Sequence, residues 1–415
     1  MKKEKLTTQP YKGTSDWLPD EFLMQKYIFD TWRKVCLKFG YKEYLTPLLD
    51  PANLYKAKSG EVAEELFTLE DRAGRNLALR PEMTPSVTRM VASIYKETSK
   101  PIRLFSIAPF YRNEAPQKGR TREFWQLNAD IFGEDSLEAD LEVLSLAVEI
   151  MLAFDAPKNS FKLYFNSRNL VESLFSKLQI QDNKLEVARA MDKFDKIGTK
   201  ETKSLLEKQN LDAAQIEGLI NYLNGDISNL DNGEIKYFVT ELKKLGYADY
   251  VEFKPSIIRG FDYYDGMIFE VFDLNSDNNR SLFGGGRYNG LSEIFGIENF
   301  PATGFAPGNV TTKLFLENWN LIPKDLEVPT YYLPTLTAQN ILKIANELRG
   351  VGMNVQTELK QTSISDALRK ANTLGLKKVI ILGKEELANN AITVKDLETG
   401  DQETQDLKTW LANIS

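Results

Sequence analysis

The sequence FSIAPFYRNEAPQKGRTREFWQLNADIFG, residues 105–133, predicts two β-strands joined by a basic loop that contains a glycine. The side chains of the second strand alternate, and one face carries Phe124, Gln126, Asn128 and Asp130. The opposite face carries only apolar side chains and is suited to packing on helices. The polar face indicates either a strand that lines a cleft or an amphipathic strand that faces solvent, and alternation alone leaves both open.

The connecting loop concentrates charged side chains, namely Arg112, Glu114, Lys118, Arg120 and Arg122. Guanidinium groups bind phosphate oxygens in bidentate geometry, and an aromatic ring such as that of Phe124 can stack on a base. The loop therefore favours the cleft, and it predicts that the cleft binds a nucleoside triphosphate.

The order Phe-Tyr-Arg-Asn-Glu, then Gln-Lys-Gly-Arg-x-Arg-x-Phe-x-Gln, closely resembles motif 2 of class II aminoacyl-tRNA synthetases, in the form of the histidyl-tRNA synthetase branch. The resemblance extends from Tyr11 to the C-terminus. It implies an α+β catalytic domain, with an antiparallel sheet and helices, followed by an α/β domain that resembles an anticodon-binding domain. We expect the catalytic domain over residues 1–325, with a helical insertion at about 168–247, and the second domain over 328–415.

Composition limits the chemistry that this chain can perform. The sequence contains no histidine, which excludes histidine as a general base, in a nucleophile pair or as a metal ligand. The single cysteine, Cys36, excludes a disulfide framework and a cysteine zinc site, and it is expected in the core. No metal-ligating residues are predicted. Chemistry at phosphorus remains compatible, because it depends mostly on positioning and charge stabilisation.

The N-terminal sequence shows no signal peptide, and no apolar run is long enough to span a membrane. These features indicate a cytoplasmic protein without a membrane partner. The net charge of −7 does not exclude RNA binding, because local patches decide it. Near the N-terminus, Asp20 is expected to cap a helix with an apolar stripe through Ile28, Trp32 and Cys36. Pro47 then breaks a strand in a segment that resembles motif 1, which implies a homodimer.

The segment Arg80-Pro81-Glu82-Met83-Thr84-Pro85 has two interpretations. In an extended segment Glu82 and Thr84 point the same way, and together they are able to hold an ammonium group. Alternatively, Thr84 caps the following helix, with Pro85 in its first turn. The family resemblance implies that this segment contacts the α-amino group of the amino acid substrate.

The segment Arg259-Gly-Phe-Asp-Tyr263-Tyr264 resembles the histidine-specific signature of the same family. The resemblance places Arg259 at the α-phosphate and the substrate carboxylate, and the two tyrosines at the imidazole. The alternative is a structural ion pair of Arg259 in an apolar strand. Downstream, Asp265-Gly266 predicts a hairpin turn between two β-rich runs.

The glycine-rich segment SLFGGGRYNGL, residues 281–291, and GFAPGNVTTKL, residues 304–314, also follow the family's order. Two positions depart from it. Thr311 stands where most members have the motif 3 arginine that contacts the γ-phosphate, and Lys313 is either its replacement or a surface charge. Trp125 stands where histidine is common, and it is predicted to point to the packing face.

The resemblance implies ligation of L-histidine to its tRNA through a histidyl-adenylate, with ATP and Mg²⁺. In that assignment Arg112 and Arg259 stabilise charge on the α-phosphate. The nucleotide-binding residues are Arg112, Glu114, Arg120 and Phe124. The histidine-binding residues are Glu82, Thr84, Gln126, Asp130, Arg259, Tyr263 and Tyr264. The alternatives are a catalytically inert histidine-binding paralogue, of the type of the regulatory subunit of ATP phosphoribosyltransferase, and a non-catalytic RNA-binding relative.

Overall fold

The chain divides into two units, Met1–Pro323 and Lys324–Ser415. The computed structural model describes residues 6–56, 64–117, 119–258, 264–276, 281–326, 330–337 and 341–414. Lys118, Arg259 and Tyr263, which the sequence analysis singled out, lie outside these residues. Within the described ranges, no helix combines the length and the apolar character needed to cross a membrane.

The first unit is built of short and long strands with helices between them. Its strands are β1 (Lys42–Glu43), β2 (Leu49–Pro51), β3 (Thr68–Glu70), β4 (Asn76–Leu79), β5 (Ile102–Tyr111), β6 (Glu123–Phe132), β7 (Phe161–Ser167), β8 (Val251–Phe253), β9 (Met267–Asp273), β10 (Ser281–Arg287) and β11 (Ala302–Phe305). Its helices are α1 (Pro19–Lys38), α2 (Ala52–Lys56), α3 (Thr84–Ile94), α4 (Leu137–Leu152), α5 (Arg168–Lys177), α6 (Lys184–Met191), α7 (Phe194–Glu207), α8 (Ala213–Leu223), α9 (Gly233–Lys244) and α10 (Asn309–Asn318). A 3-10 helix covers Asn289–Phe295.

The described residues place eight of these strands in one sheet, in the order β1-β5-β6-β11-β10-β9-β7-β8. The central pairs are antiparallel, whereas the two outermost pairs, β1 with β5 and β7 with β8, are parallel. The short strand β1 forms one edge, and beyond Pro47 the chain continues into β2, which belongs to a separate sheet with β4 and β3. The predicted interruption and edge position are therefore confirmed for this segment, although β1 already ends at Glu43, before Pro47.

Helix α1 packs its apolar stripe against the large sheet, and Ile28, Trp32 and Cys36 are fully buried. Trp125 points to the same side of the sheet and stacks on Phe29 of α1, with 5.1 Å between ring centroids. The predicted packing face is thus confirmed. The expected Asp20 cap is wrong, because the helix already begins at Pro19 and Asp20 lies in its first turn. Proline fits that first position because it has no N–H to satisfy.

The predicted hairpin at Asp265-Gly266 is also wrong. Residues 255–258, which precede the undescribed stretch, form a turn and an irregular segment rather than a strand. Strand β9 pairs instead with β7 and β10, which come from distant parts of the chain. Tertiary pairing here overrides the local turn signal.

The second unit alternates strands and helices around its own sheet. Its elements are β12 (Thr330–Thr335), α11 (Ile341–Gly350), β13 (Asn354–Gln361), α12 (Ile364–Thr373), β14 (Lys378–Ile381), α13 (Lys384–Ala388), β15 (Ala391–Asp396), β16 (Gln402–Asp406) and α14 (Leu407–Ile414). The sheet order is β13-β12-β14-β15-β16, and the first three of these strands are parallel. This parallel core confirms the α/β interpretation of this region.

Candidate active site

The front face of the large sheet carries a cleft where β6, β9, β10 and the start of α10 meet. A cavity of about 280 Å³ lies there. Its lining includes Arg112, Glu114, Arg120, Phe124 and Gln126, together with Glu270 and Thr311. The structure thus brings the predicted nucleotide-binding residues into one cavity. Asn128 and Asp130 on the same face of β6 are buried, so the interpretation of this strand as solvent-facing is wrong.

Arg112 is held in place from two sides. Its Nε donates a hydrogen bond to the backbone carbonyl of Pro81 at 3.1 Å. Its guanidinium carbon lies 5.2 Å from the ring centroid of Phe124, in the range of a cation–π contact. Phe124 in turn stacks on Phe110 of the neighbouring strand β5. These contacts leave the guanidinium at the cavity wall with its orientation restricted.

The loop between β5 and β6 contributes two further charged groups. Arg120 donates to the carboxylate of Glu114 at 3.3 Å, and both side chains line the cavity. Arg122, in contrast, is used structurally. Its guanidinium donates to the hydroxyl of Tyr11 at 2.6 Å and to the backbone carbonyl of Glu114 at 3.0 Å. The basic residues of the loop therefore divide into cavity-lining and structural groups.

A second cavity of about 200 Å³ adjoins the first. Its lining includes Ile257 and Tyr264, and it shares Glu270 and Gly284 with the larger cavity. A Cβ on Gly286, in the same strand as Gly284, would lie 2.9 Å from a ring carbon of Tyr264. Glycine at this position therefore allows the tyrosine to approach the strand. Tyr264, which was predicted to bind histidine, thus lines a cavity next to the one lined by the predicted nucleotide-binding residues.

Asp130 lies on the same face of β6 as Gln126, but its carboxylate is buried and is not part of either lining. The hydroxyl of Tyr288 donates to its Oδ1. Burial raises the pKa of Asp130 to about 7, although this hydrogen bond acts in the opposite direction. A Cβ on Gly304 of strand β11 would lie only 2.1 Å from the same Oδ1. The Asp130 carboxyl therefore occupies space that is free only because residue 304 is a glycine.

The segment with Glu82 and Thr84 leads directly into helix α3. Both side chains are partly buried. Thr84 is the first residue of the helix, and Met83 occupies the cap position, so the interpretation of Thr84 as a cap is wrong. Pro85 lies in the first helical turn, as predicted. The carbonyl of Pro81, which accepts the hydrogen bond from Arg112, connects this segment to the wall of the larger cavity.

The motif 3 position is filled by a short polar side chain. Thr311 lines the larger cavity, and its hydroxyl donates to the carbonyl of Leu282 at 2.9 Å. Lys313 is not part of that lining. Its ammonium group instead contacts both carboxylate oxygens of Glu21 on α1 at 2.8 Å. Neither interpretation of Lys313 holds, because it forms a partly buried ion pair rather than a surface charge or a substitute for the arginine.

Sequence reasoning missed Glu270 and Tyr288. Glu270 is almost fully buried, lines both cavities, and accepts a hydrogen bond from the Ser281 hydroxyl at 3.0 Å. A single carboxylate inside the apolar run Ile268–Phe272 was a usable signal. Tyr288 reaches Asp130 across a sequence separation of 158 residues, which no local pattern reports.

Two family models match this chain. The family model described as histidyl-tRNA synthetase matches residues 13–308, and a model described as anticodon binding domain matches residues 334–415. The chain belongs to the histidyl-tRNA synthetase family. The predictions of family and fold class are therefore confirmed.

Individual relatives agree with this assignment. A histidine–tRNA ligase of Leptospira biflexa is 38% identical over 97% of this chain and 96% of its own length. The fold is shared with a histidyl-tRNA synthetase crystal structure from Nostoc, with a TM-score of 0.85, 22% identity and coverage of 99% of both chains. It is also shared with a structure from Bacillus halodurans titled ATP phosphoribosyltransferase regulatory subunit/histidyl-tRNA synthetase, with a TM-score of 0.74, 24% identity and coverage of 88% and 97%.

Proposed function

We propose that this chain ligates L-histidine to its tRNA in two steps that consume ATP. The observation that carries the proposal is the pair of adjoining cavities, one lined by Arg112 and Phe124 and the other by Tyr264. Membership of the histidyl-tRNA synthetase family supports the same activity. The larger cavity takes the nucleotide, and the smaller one takes the amino acid.

In the first step the histidine carboxylate attacks the α-phosphorus of ATP, and the bond to the β-phosphate oxygen breaks with release of pyrophosphate. Arg112 stabilises the negative charge that builds up on the α-phosphate oxygens, as does Arg259 in this proposal. Phe124 stacks on the adenine, and Glu114 and Arg120 complete the nucleotide contacts. In the second step a hydroxyl of the terminal ribose of the tRNA attacks the adenylate carbonyl, and AMP leaves.

The histidine contacts in this proposal come from several segments. Glu82 and Thr84 hold the α-amino group. Gln126, which lines the adjoining larger cavity, Tyr263 and Tyr264 recognise the imidazole. Asp130 is buried and lines neither cavity, so in this proposal it acts through its hydrogen bond with Tyr288 rather than by contact with the ring. Polar side chains at the imidazole discriminate against an amino acid without ring nitrogens, because such a ligand cannot make the hydrogen bonds that these side chains offer.

Mg²⁺ is expected to accompany ATP and to neutralise part of the phosphate charge. The residues in the nucleotide cavity fit this ion, since Mg²⁺ is commonly held by one or two carboxylates together with substrate phosphates. Glu114 and Glu270 are the carboxylates that line this cavity within the described residues. A cage of three or more metal-ligating side chains is not found in those residues.

The region around Pro47 supports a homodimer. Leu45 is 68% exposed, and Leu48 and Leu49 are also exposed next to the sheet edge at β1. Exposed leucines close together in sequence beside a sheet edge are suited to a second copy of the chain. Analytical ultracentrifugation of the wild type and of Leu45→Glu tests this assignment. A monomeric wild type would contradict it.

The tRNA contacts are assigned to the C-terminal unit, residues 328–415 in our domain proposal, with catalysis in residues 1–325. The helical insertion at about 168–247 corresponds to helices α5–α9. The match to an anticodon-binding model supports the assignment of the C-terminal unit. The cytoplasmic location stays a prediction.

A histidine-binding regulatory subunit is the second candidate, and Thr311 in place of an arginine is the observation that favours it. The match of residues 334–415 to an anticodon-binding model favours the ligase. Incubation of the full chain with labelled histidine, ATP and a histidine tRNA distinguishes the two. Transfer of label to the tRNA is expected. Histidine binding without transfer would assign the chain to the regulatory class.

A further inference from the structure

Asn166, at the end of strand β7, makes an unusually complete set of buried hydrogen bonds. The residue is fully buried. Its Nδ2 donates to the backbone carbonyls of Pro255 and Ile257 at 3.0 and 3.1 Å. Its Oδ1 accepts from the Tyr222 hydroxyl at 3.0 Å and from the Ser167 N–H at 2.8 Å. Both donors and both acceptor sites of the amide are used, which fixes its orientation.

Helix α7 holds the same stretch of chain from another side. The Oδ2 of Asp195 accepts a hydrogen bond from the Ser256 hydroxyl at 2.8 Å. The same oxygen lies 2.7 Å from the ammonium group of Lys254. Residues 254–257 are thus bound by Asn166 through their backbone and by Asp195 through their side chains.

This stretch needs such support because it lies outside the sheet. Residues 255–258 form a turn and an irregular segment, so no ladder of backbone hydrogen bonds sets their position. Ile257 nevertheless lines the smaller cavity together with Tyr264. In the sequence, Arg259 follows two residues later. The position of this wall of the proposed amino acid cavity therefore depends on the hydrogen bonds of Asn166 and Asp195, which do not line the cavity themselves.

Tyr222 connects this wall to the helical insertion. It lies in helix α8 and is fully buried, and its hydroxyl contacts Asn166. We propose that Asn166 and Tyr222 are positioning residues that set the affinity of the smaller cavity for histidine. The inference rests on the proposed function, because it takes histidine as the ligand. It gives helices α7 and α8 a role in substrate binding, although none of their residues lines the two cavities.

The test uses the full chain and the conservative variant Tyr222→Phe, which removes one hydroxyl and keeps the ring. Tyr247→Phe is the matched control, because it removes a hydrogen bond of similar length, 2.8 Å to Glu149, from the same part of the chain. Asn166→Asp is the second variant, since a carboxylate cannot donate to the two carbonyls. Histidine binding is measured by calorimetry, and KM and kcat are measured in ATP–pyrophosphate exchange.

We expect Tyr222→Phe to weaken histidine binding and to raise its KM by about three- to tenfold, as the loss of one hydrogen bond predicts. The KM for ATP and the unfolding temperature should change no more than in Tyr247→Phe. Equal effects of the two tyrosine variants on histidine binding would overturn the inference alone. A wild-type chain that does not bind histidine would overturn both the inference and the proposed function.

Discussion

The hydroxyl of Tyr288 donates a hydrogen bond to Oδ1 of Asp130, and both residues are buried. The bond joins strand β6 to the residue that directly follows β10, so it links two of the strands that line the proposed nucleotide cavity. Burial holds the pKa of the carboxyl at about 7, well above its usual range. Ionisation of the Asp130 carboxyl inside the sheet therefore costs free energy, because the charged form is removed from water.

This pKa gives a prediction for stability against pH. The pKa of this carboxyl is higher in the folded state than its unfolded value of about 4, so its contribution to stability is fully present below pH 4. That contribution is lost as pH rises to about 7. Asp130→Asn removes that loss. The variant should gain stability relative to the wild type as pH rises from about 4 to about 7, by several kcal/mol in all, and keep that gain at higher pH. Urea unfolding at a series of pH values measures this difference.

An exposed aspartate provides the control for that experiment. The ammonium group of Lys158 lowers the pKa of Asp249 through a hydrogen bond. Asp249→Asn should therefore lose stability, relative to the wild type, as pH rises through the range where this carboxyl ionises. A stability difference between Asp130→Asn and the wild type that does not vary with pH would contradict the burial of a titrating carboxyl at position 130.

Gly304 predicts a steric requirement next to the same carboxyl. A Cβ at this position would lie 2.1 Å from Asp130 Oδ1 and 2.6 Å from the carbonyl oxygen of Ala129. We expect Gly304→Ala to lower the unfolding temperature clearly and to weaken histidine binding at least tenfold. Gly350→Ala is the control, because a Cβ there meets nothing within 4 Å. Equal unfolding temperatures for the two variants would show that the sheet tolerates the added methyl group.

Arg112 should be far more sensitive to substitution than Arg122. Lysine at position 112 cannot donate to the Pro81 carbonyl and grip a phosphate in bidentate geometry at the same time. We expect Arg112→Lys to lower kcat for pyrophosphate exchange by about 100-fold or more. Arg122→Lys should have a much smaller effect, because Arg122 contacts Tyr11 and the Glu114 backbone. Comparable losses in both variants would contradict the division of the loop into two groups.

Thr311 allows a direct test of what the motif 3 position contributes. Thr311→Arg adds a guanidinium group to the proposed nucleotide cavity, and we expect the KM for ATP to fall by about threefold or more. Lys313→Gln should instead leave this KM unchanged and cost about 1 kcal/mol of stability, because it breaks the ion pair with Glu21. An ATP effect in Lys313→Gln, with none in Thr311→Arg, would reverse the assignment of these positions.

Local periodicity was sufficient to predict the parts of the fold that depend on one strand or helix. The alternation around Phe124 and Trp125 identified the cavity face and the packing face of β6 correctly. The stripe on α1 identified its buried side. Local signals failed where two neighbouring residues both suit the start of a helix. Asp20 is a good cap residue, but Pro19 already occupies the first helical position.

Contacts between distant segments were beyond the reach of the sequence. Lys313 pairs with Glu21 from a position 292 residues away, and a single sequence contains no signal of that pairing. Pairing of β9 with β7 and β10 likewise decided against a hairpin at Asp265. The order of motifs proposed a set of site residues, four of which, Arg112, Glu114, Arg120 and Phe124, line one cavity. The sheet topology determines which of them line a cavity and which, like Asp130, are buried beside it.

The central claim is that the two adjoining cavities activate histidine with ATP. ATP–pyrophosphate exchange by the purified full chain, measured with each of the twenty amino acids separately, tests it most directly. We predict exchange that depends on histidine and exceeds that with every other amino acid by at least 100-fold. Absence of histidine-dependent exchange, in a preparation that is folded and binds ATP, would contradict the claim.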